Sequence, residues 1–164
     1  KTMKKTARIL NGLAMLSLWL GTTANSILAA DLIGINEILR EIKAPGPAII
    51  REVSFTTEIP LPGDARIFIT YPAGFDAAKA SVFSTSGFAG SFSKIVKGQV
   101  LILSRSGGRT APPGEKIVAL SGIVNKSTNA TYKITLEIQN GVGEILLGPT
   151  TSARIRPSIH TAEE

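Results

Sequence analysis

The chain predicts a mainly β protein, a single antiparallel two-sheet β-sandwich, and three observations carry that prediction. From Ile49 onward apolar residues recur at every second position in short runs, which is the period of a strand with one buried face. Glycine, proline and asparagine turn signals separate the runs at intervals of about eight to twelve residues, the spacing of a sandwich rather than of alternating strands and helices. There is no cysteine, so neither disulfides nor thiolate metal sites can hold the fold, and each amphipathic sheet must bury its apolar face on another. A small barrel is the competing arrangement.

Residues 1–30 read as an export signal. Lys1, Lys4, Lys5 and Arg8 precede a run from Ile9 to Ala30 that carries no charge, the order of a basic start, an apolar centre and a small-residue exit. The centre, Leu13 to Leu20, is shorter than the roughly 20 residues a membrane span needs, although Ile27 to Ala30 could lengthen it into a retained anchor. Candidate exits follow Ala24, Ala29 or Ala30. The full chain has 18 basic and 12 acidic residues; with the four basic residues of this segment removed, only a slight positive excess remains. The charge therefore argues against a nucleic-acid partner.

Residues 31–47 form an amphipathic N-terminal segment with a Pro/Gly linker. Leu32, Ile35, Ile38, Leu39 and Ile42 recur at helical spacing, which predicts a short helix with Asp31 as its cap and Pro45-Gly46-Pro47 as its stop. This stripe is the candidate assembly surface. It either covers one end of the sandwich or docks on another copy or a surface partner, and an extended form could add to an open sheet edge.

The sandwich is expected over residues 48–157, followed by a polar tail, 158–164. Ile49, Val53 and Phe55 share one face of the first strand, with Arg51 interrupting it. Pro60 to Asp64 turns the chain into a strand from Ala65 to Tyr71, with Ile67, Ile69 and Tyr71 inward and Phe68 on the other side. A weak strand follows at Ser81 to Ser84. Lys97-Gly98 makes a hairpin into Gln99 to Ser104, and Phe88 and Phe92 are expected to tuck back into the core. After the Gly107 to Gly114 loop comes a strand from Lys116 to Val124. The clearest alternation is Tyr132, Ile134, Leu136 and Ile138 inward against Lys133, Thr135 and Glu137 outward, the signature of one buried and one solvated face. Asn140-Gly141 signals the last hairpin.

The Pro72 to Phe75 turn, the strand end Ser121 to Asn125 and the Tyr132 to Ile138 strand resemble the immunoglobulin-like β-sandwich modules of microbial secreted and surface proteins. That resemblance implies a fold and an extracellular setting and brings no functional residue with it.

Little in the chain suggests catalysis. His160, the sole histidine, lies in the tail, so histidine-based metal sites and a serine triad lack their parts. No catalytic or cofactor-binding residue is expected, and no cofactor; the weak metal candidates are Asp64 and Asp76 at strand-end turns, for calcium. Arg105 to Arg109 could cradle an anion, with Lys94 and Lys97 extending the patch, but a solvated hairpin accounts for the same residues. Asn125 and Asn129 match N-glycosylation acceptors. The expectation is a non-catalytic structural or adhesive protein, secreted, periplasmic or on the cell surface, that self-associates into oligomers or filaments or joins another surface protein. The alternative is a secreted module that recognises a glycan or a protein through strand-end loops. A membrane is a partner only if the N-terminal apolar helix is retained.

Overall fold

The computed structural model describes residues 31–42, 48–125, 131–156 and 159–161. The expected export segment 1–30, the Pro45-Gly46-Pro47 linker, the Asn129 sequon and the side chain of Ile42 lie outside the described residues. Among those residues the chain forms β1 (Ile33–Ile42), β2 (Ala48–Thr57), β3 (Arg66–Thr70), β4 (Phe75–Asp76), β5 (Ser81–Ser86) and β6 (Ser91–Lys97). It continues with β7 (Val100–Ser106), β8 (Gly114–Ser121), β9 (Val124–Asn125), β10 (Thr135–Gln139), β11 (Ile145–Thr151) and β12 (Ile159–Thr161).

Two five-stranded sheets result, in the orders β12-β1-β2-β8-β5 and β11-β10-β3-β7-β6, with β4 and β9 as a small separate ribbon. Pairing is antiparallel throughout except between β1 and β12, which run parallel. The inward residues of the two sheets form one core. Val53, Phe55, Val118 and Leu120 face it from the first sheet, and Ile67, Ile69, Leu101, Leu103, Ile134, Leu136 and Ile138 face it from the second. Phe88 and Phe92 pack against its margin, with ring centroids 5.3 Å apart.

The predicted helix over Asp31 to Lys43 is instead the ten-residue strand β1. In register with β2, Ile35, Glu37 and Leu39 alternate as buried positions while Asn36 and Arg40 face water. A buried glutamate at the centre of that alternation disguises its period of two, and the remaining isoleucines and leucines then mimic a helical stripe. Of the five residues assigned to assembly, Leu32, Ile35 and Leu39 are buried within the sandwich and Ile38 is half-buried. The sandwich thus draws a strand from each flank of the predicted 48–157 range: β1 from the segment before it and β12 from the tail after it.

β5 and β6 follow each other in the chain but belong to different sheets, so the loop between them crosses the side of the sandwich. Gly90 permits this crossing. Its φ is +93°, and a Cβ there would sit 2.4 Å from the Ser106 carbonyl oxygen, where no side chain fits.

Candidate functional site

Arg51, which interrupts the inward face of β2, meets Glu37 of β1 in the core. Arg51 Nη1 donates to Glu37 Oε2 at 3.0 Å and to the Tyr132 hydroxyl at 3.1 Å, while its Nε donates to the Ile123 carbonyl at 3.3 Å. Tyr71 donates to Glu37 Oε1 at 2.8 Å, and Tyr132 donates to Glu37 Oε2. The guanidinium lies 5.1 Å above the Phe75 ring, which itself stacks on Tyr71 and meets Tyr132 edge-on. Glu37 and Arg51 are each 4% exposed, and no buried side-chain nitrogen or oxygen among the described residues lacks a partner. Both carboxylate oxygens are engaged by the chain's own donors, and the cluster ties β1, β2 and the segment before β10 together.

Burial, reinforced by the Glu37 charge, pushes the hydroxyls of Tyr71 and Tyr132 above the usual phenol range. A phenol that holds its proton more tightly when folded stabilises the fold fully below the unfolded pKa of about 10, and that contribution is lost as pH rises through the folded value. These are the two tyrosines of the chain, so tyrosinate absorbance reports this cluster alone. In an alkaline titration the tyrosinate signal is expected to be absent from the folded protein near pH 10 and to appear together with loss of the β circular dichroism. Gradual ionisation of one tyrosine well before unfolding would contradict the cluster's geometry.

At the opposite end of the sandwich two cations are buried without a carboxylate. Arg105 is 3% and Lys116 1% exposed. Arg105 donates to the carbonyls of Ala89 at 2.8 Å, Pro62 at 3.0 Å and Leu61 at 3.3 Å, and to that of Arg109. Lys116 Nζ donates to the carbonyls of Pro112 at 2.8 Å, Gly114 at 3.1 Å and Glu115 at 3.4 Å. Both lie over the Phe88 ring, at 5.7 and 6.0 Å. Burial lowers both pKa values, and the neighbouring Arg105 charge lowers that of Lys116 further. Of the two guanidinium groups of the expected anion cradle at Arg105 to Arg109, that of Arg105 is therefore spent on carbonyls of the chain's own loops, while Arg109 is exposed.

Asp64 and Asp76 do not come together. Asp64 precedes β3 and Asp76 follows it, so about 17 Å of strand separates them. Asp64 sits against Gly141, and Asp76 Oδ1 accepts the Ala78 amide at 3.0 Å in an Asx turn. Among the described residues no three His, Cys, Asp or Glu side chains gather around one point.

The outer face of the second sheet is the surface that stands out. Residues directly opposite in an antiparallel pair share a face, so the registers set Ile95 of β6 beside Ile102 of β7, Ile102 beside Phe68 of β3, and Phe68 beside Glu137 of β10. Ile95 is 52% exposed, and Ile102 and Phe68 are half-buried. On one side of this row lie Val100, Thr70 and Thr135, with the Thr135 and Thr151 hydroxyls hydrogen-bonded at 2.9 Å. On the other lie Ser93, Ser104 and Arg66. The result is an aliphatic and aromatic strip flanked mainly by hydroxyls, with Glu137 closing one end of the strip and Lys97 and Arg66 each in one flanking row. From Ala77 to Gly114 the sequence has no aspartate or glutamate, while Lys79, Lys94, Lys97, Arg105 and Arg109 are all present; of these Lys97 lies on this face, opposite Val100. Sequence reasoning missed this strip because its members come from strands far apart in the chain.

No family model matches the chain, and no curated protein matches it. Three solved structures are similar to it at low sequence identity. A non-cellulosomal cohesin from the hyperthermophilic archaeon Archaeoglobus fulgidus matches with 13% identity over 79% of this chain and 92% of that one, at a TM-score of 0.43. ChBD2 from Thermococcus kodakarensis matches with 12% identity over 72% and 97%, at 0.36. The chitin-binding domain of a chitinase from Pyrococcus furiosus matches with 13% identity over 74% and 98%, at 0.35.

Proposed function

We propose that this chain is a non-catalytic adhesive module, exported by its N-terminal segment, that binds a protein partner through the outer face of its second sheet. The observation that carries the reading is the Ile95, Ile102 and Phe68 row, a partly exposed apolar strip framed mainly by hydroxyls. Its single half-buried aromatic suits a protein better than a glycan, which would favour several exposed rings. The apolar stripe of residues 32–42 is largely used in the core, so it supports self-assembly less than the sheet face supports binding.

The test is retention of the labelled protein by the envelope of the producing cell. Ile102→Lys and Phe68→Lys are expected to lower retention about tenfold or more, the scale of a lost interface anchor, while leaving circular dichroism unchanged. Val142, 82% exposed at the tip of the β10–β11 hairpin, favours the second reading, in which strand-end loops bind. If Val142→Lys abolishes retention and the sheet variants do not, the loops are the site.

A further inference from the structure

Among the described residues each of the two sheets ends in two edge strands, and two of the four are irregular. β5 carries a bulge between Val82 and Ser84. β11 has two register shifts against β10 and contains Pro149. Bulges and prolines are devices by which sheets avoid adding foreign strands. β6 has neither: its seven residues pair with β7 in unbroken register, it contains no proline, and among the described residues no strand lies on its other side. Its charges are those of Lys94 and Lys97, which discourage a neutral or basic strand and leave an acidic one as the fitting addition.

We propose that the free edge of β6 accepts an extended, acidic segment of a partner protein, which adds as a sixth strand to the second sheet. The inference rests on the adhesive reading of that sheet and identifies how its partner is held. Backbone groups along β6 supply the affinity of strand addition, and side chains supply the choice of partner. Ser93, Ile95 and Lys97 pair with outward residues of β7, so they lie on the outer face; Phe92, Lys94 and Val96 pair with buried ones. An added strand would therefore set alternate residues beside Ser93, Ile95 and Lys97, continuing the Ile95–Ile102–Phe68 row with an aliphatic side chain and meeting Lys97 with a carboxylate. Lys94 is already engaged, donating to the Ala80 carbonyl. Lys97 is exposed, and the stretch containing β5, β6 and β7 offers it no acid. The same charges disfavour a second copy, whose own β6 would bring further lysines against these.

Two labelled peptides test this, seven-residue strands of alternating valine and threonine that differ only in carrying glutamate or lysine at the position beside Lys97. Fluorescence anisotropy with the whole protein at low salt should show the acidic peptide binding more tightly by about fivefold, the scale of one cross-strand charge pair against its repulsive counterpart. Lys97→Glu should reverse the order, and hydrogen exchange should show protection gained at β6. The face variant Phe68→Lys should keep peptide binding, so a failure of the envelope assay and a failure at the edge are separately visible. Absence of binding by both peptides overturns the proposal, as does a preference that ignores the charge at position 97, or protection appearing at β5 or β11. Dimerisation of the protein through β6 in light scattering would overturn the acidic partner in favour of a second copy.

Discussion

Glu37→Ala will destabilise the fold by about 3 to 5 kcal/mol, the cost of leaving a buried ion-pair partner uncompensated. The substitution deprives Arg51 of its carboxylate in a site where the guanidinium is 4% exposed, and it removes the acceptor of both tyrosine hydroxyls. Glu37→Gln keeps one acceptor oxygen, turns the other into an amide donor and removes the charge, so it should fall between alanine and the parent. The double replacement Glu37→Met with Arg51→Met is expected to cost less than the two single changes together, because it removes the uncompensated charge that each single change creates. Denaturant melts of the parent, the alanine and glutamine variants, the two single methionine changes and their combination supply the comparison. Additive losses would mean that the two side chains act independently, against the geometry described above.

Ile134→Ala and Leu136→Ala should each cost about 2 to 5 kcal/mol, since the removed methyl groups leave a cavity in a packed interior. Both are fully buried, and Leu136 sits beside Ile69 in the centre of the second sheet. Thr135→Ala, between them in the chain and facing outward, should cost below about 1 kcal/mol. Its hydroxyl bonds to that of Thr151 at the surface. Melts in which the threonine change did more damage than either alanine in the core would reverse the assigned faces.

The central strands were legible because their neighbours in sequence alternate cleanly. Ile67 and Ile69 of β3, and Ile134, Leu136 and Ile138 around β10, occupy the inward positions that their period of two assigns. Ile49 departs from this: it shares the parity of Val53 and Phe55 but lies 43% exposed near the start of β2. β1 was not legible, for a reason that the structure supplies. Glu37 spoils the alternation of β1 and Arg51 spoils that of β2, and the two interruptions are the halves of one ion pair across that strand pair. A single strand cannot show that its charged inward residue has a partner 14 positions away; only the pairing does. Asn140-Gly141 correctly placed a hairpin, but its turn is longer than two residues, with Asn140 Oδ1 accepting the amides of both Val142 and Glu144. The sheet face and the open edge were hidden more deeply, since they depend on register and strand order rather than on any local pattern.

The way Arg105 and Lys116 are held gives the sandwich two poles built on different chemistry. Lys116 lies near the start of β8, and Ile123, whose carbonyl receives Arg51, lies just past its end. Near Ile123 the central cation is matched by the Glu37 carboxylate. Near Lys116 the cations are held by peptide carbonyls, which ask nothing of a neighbouring acid. Those carbonyls belong to the main chain, so the loops of Pro62, Ala89 and Pro112 can change their side chains without losing their hold on the two cations, whereas the other pole depends on one particular side chain, Glu37.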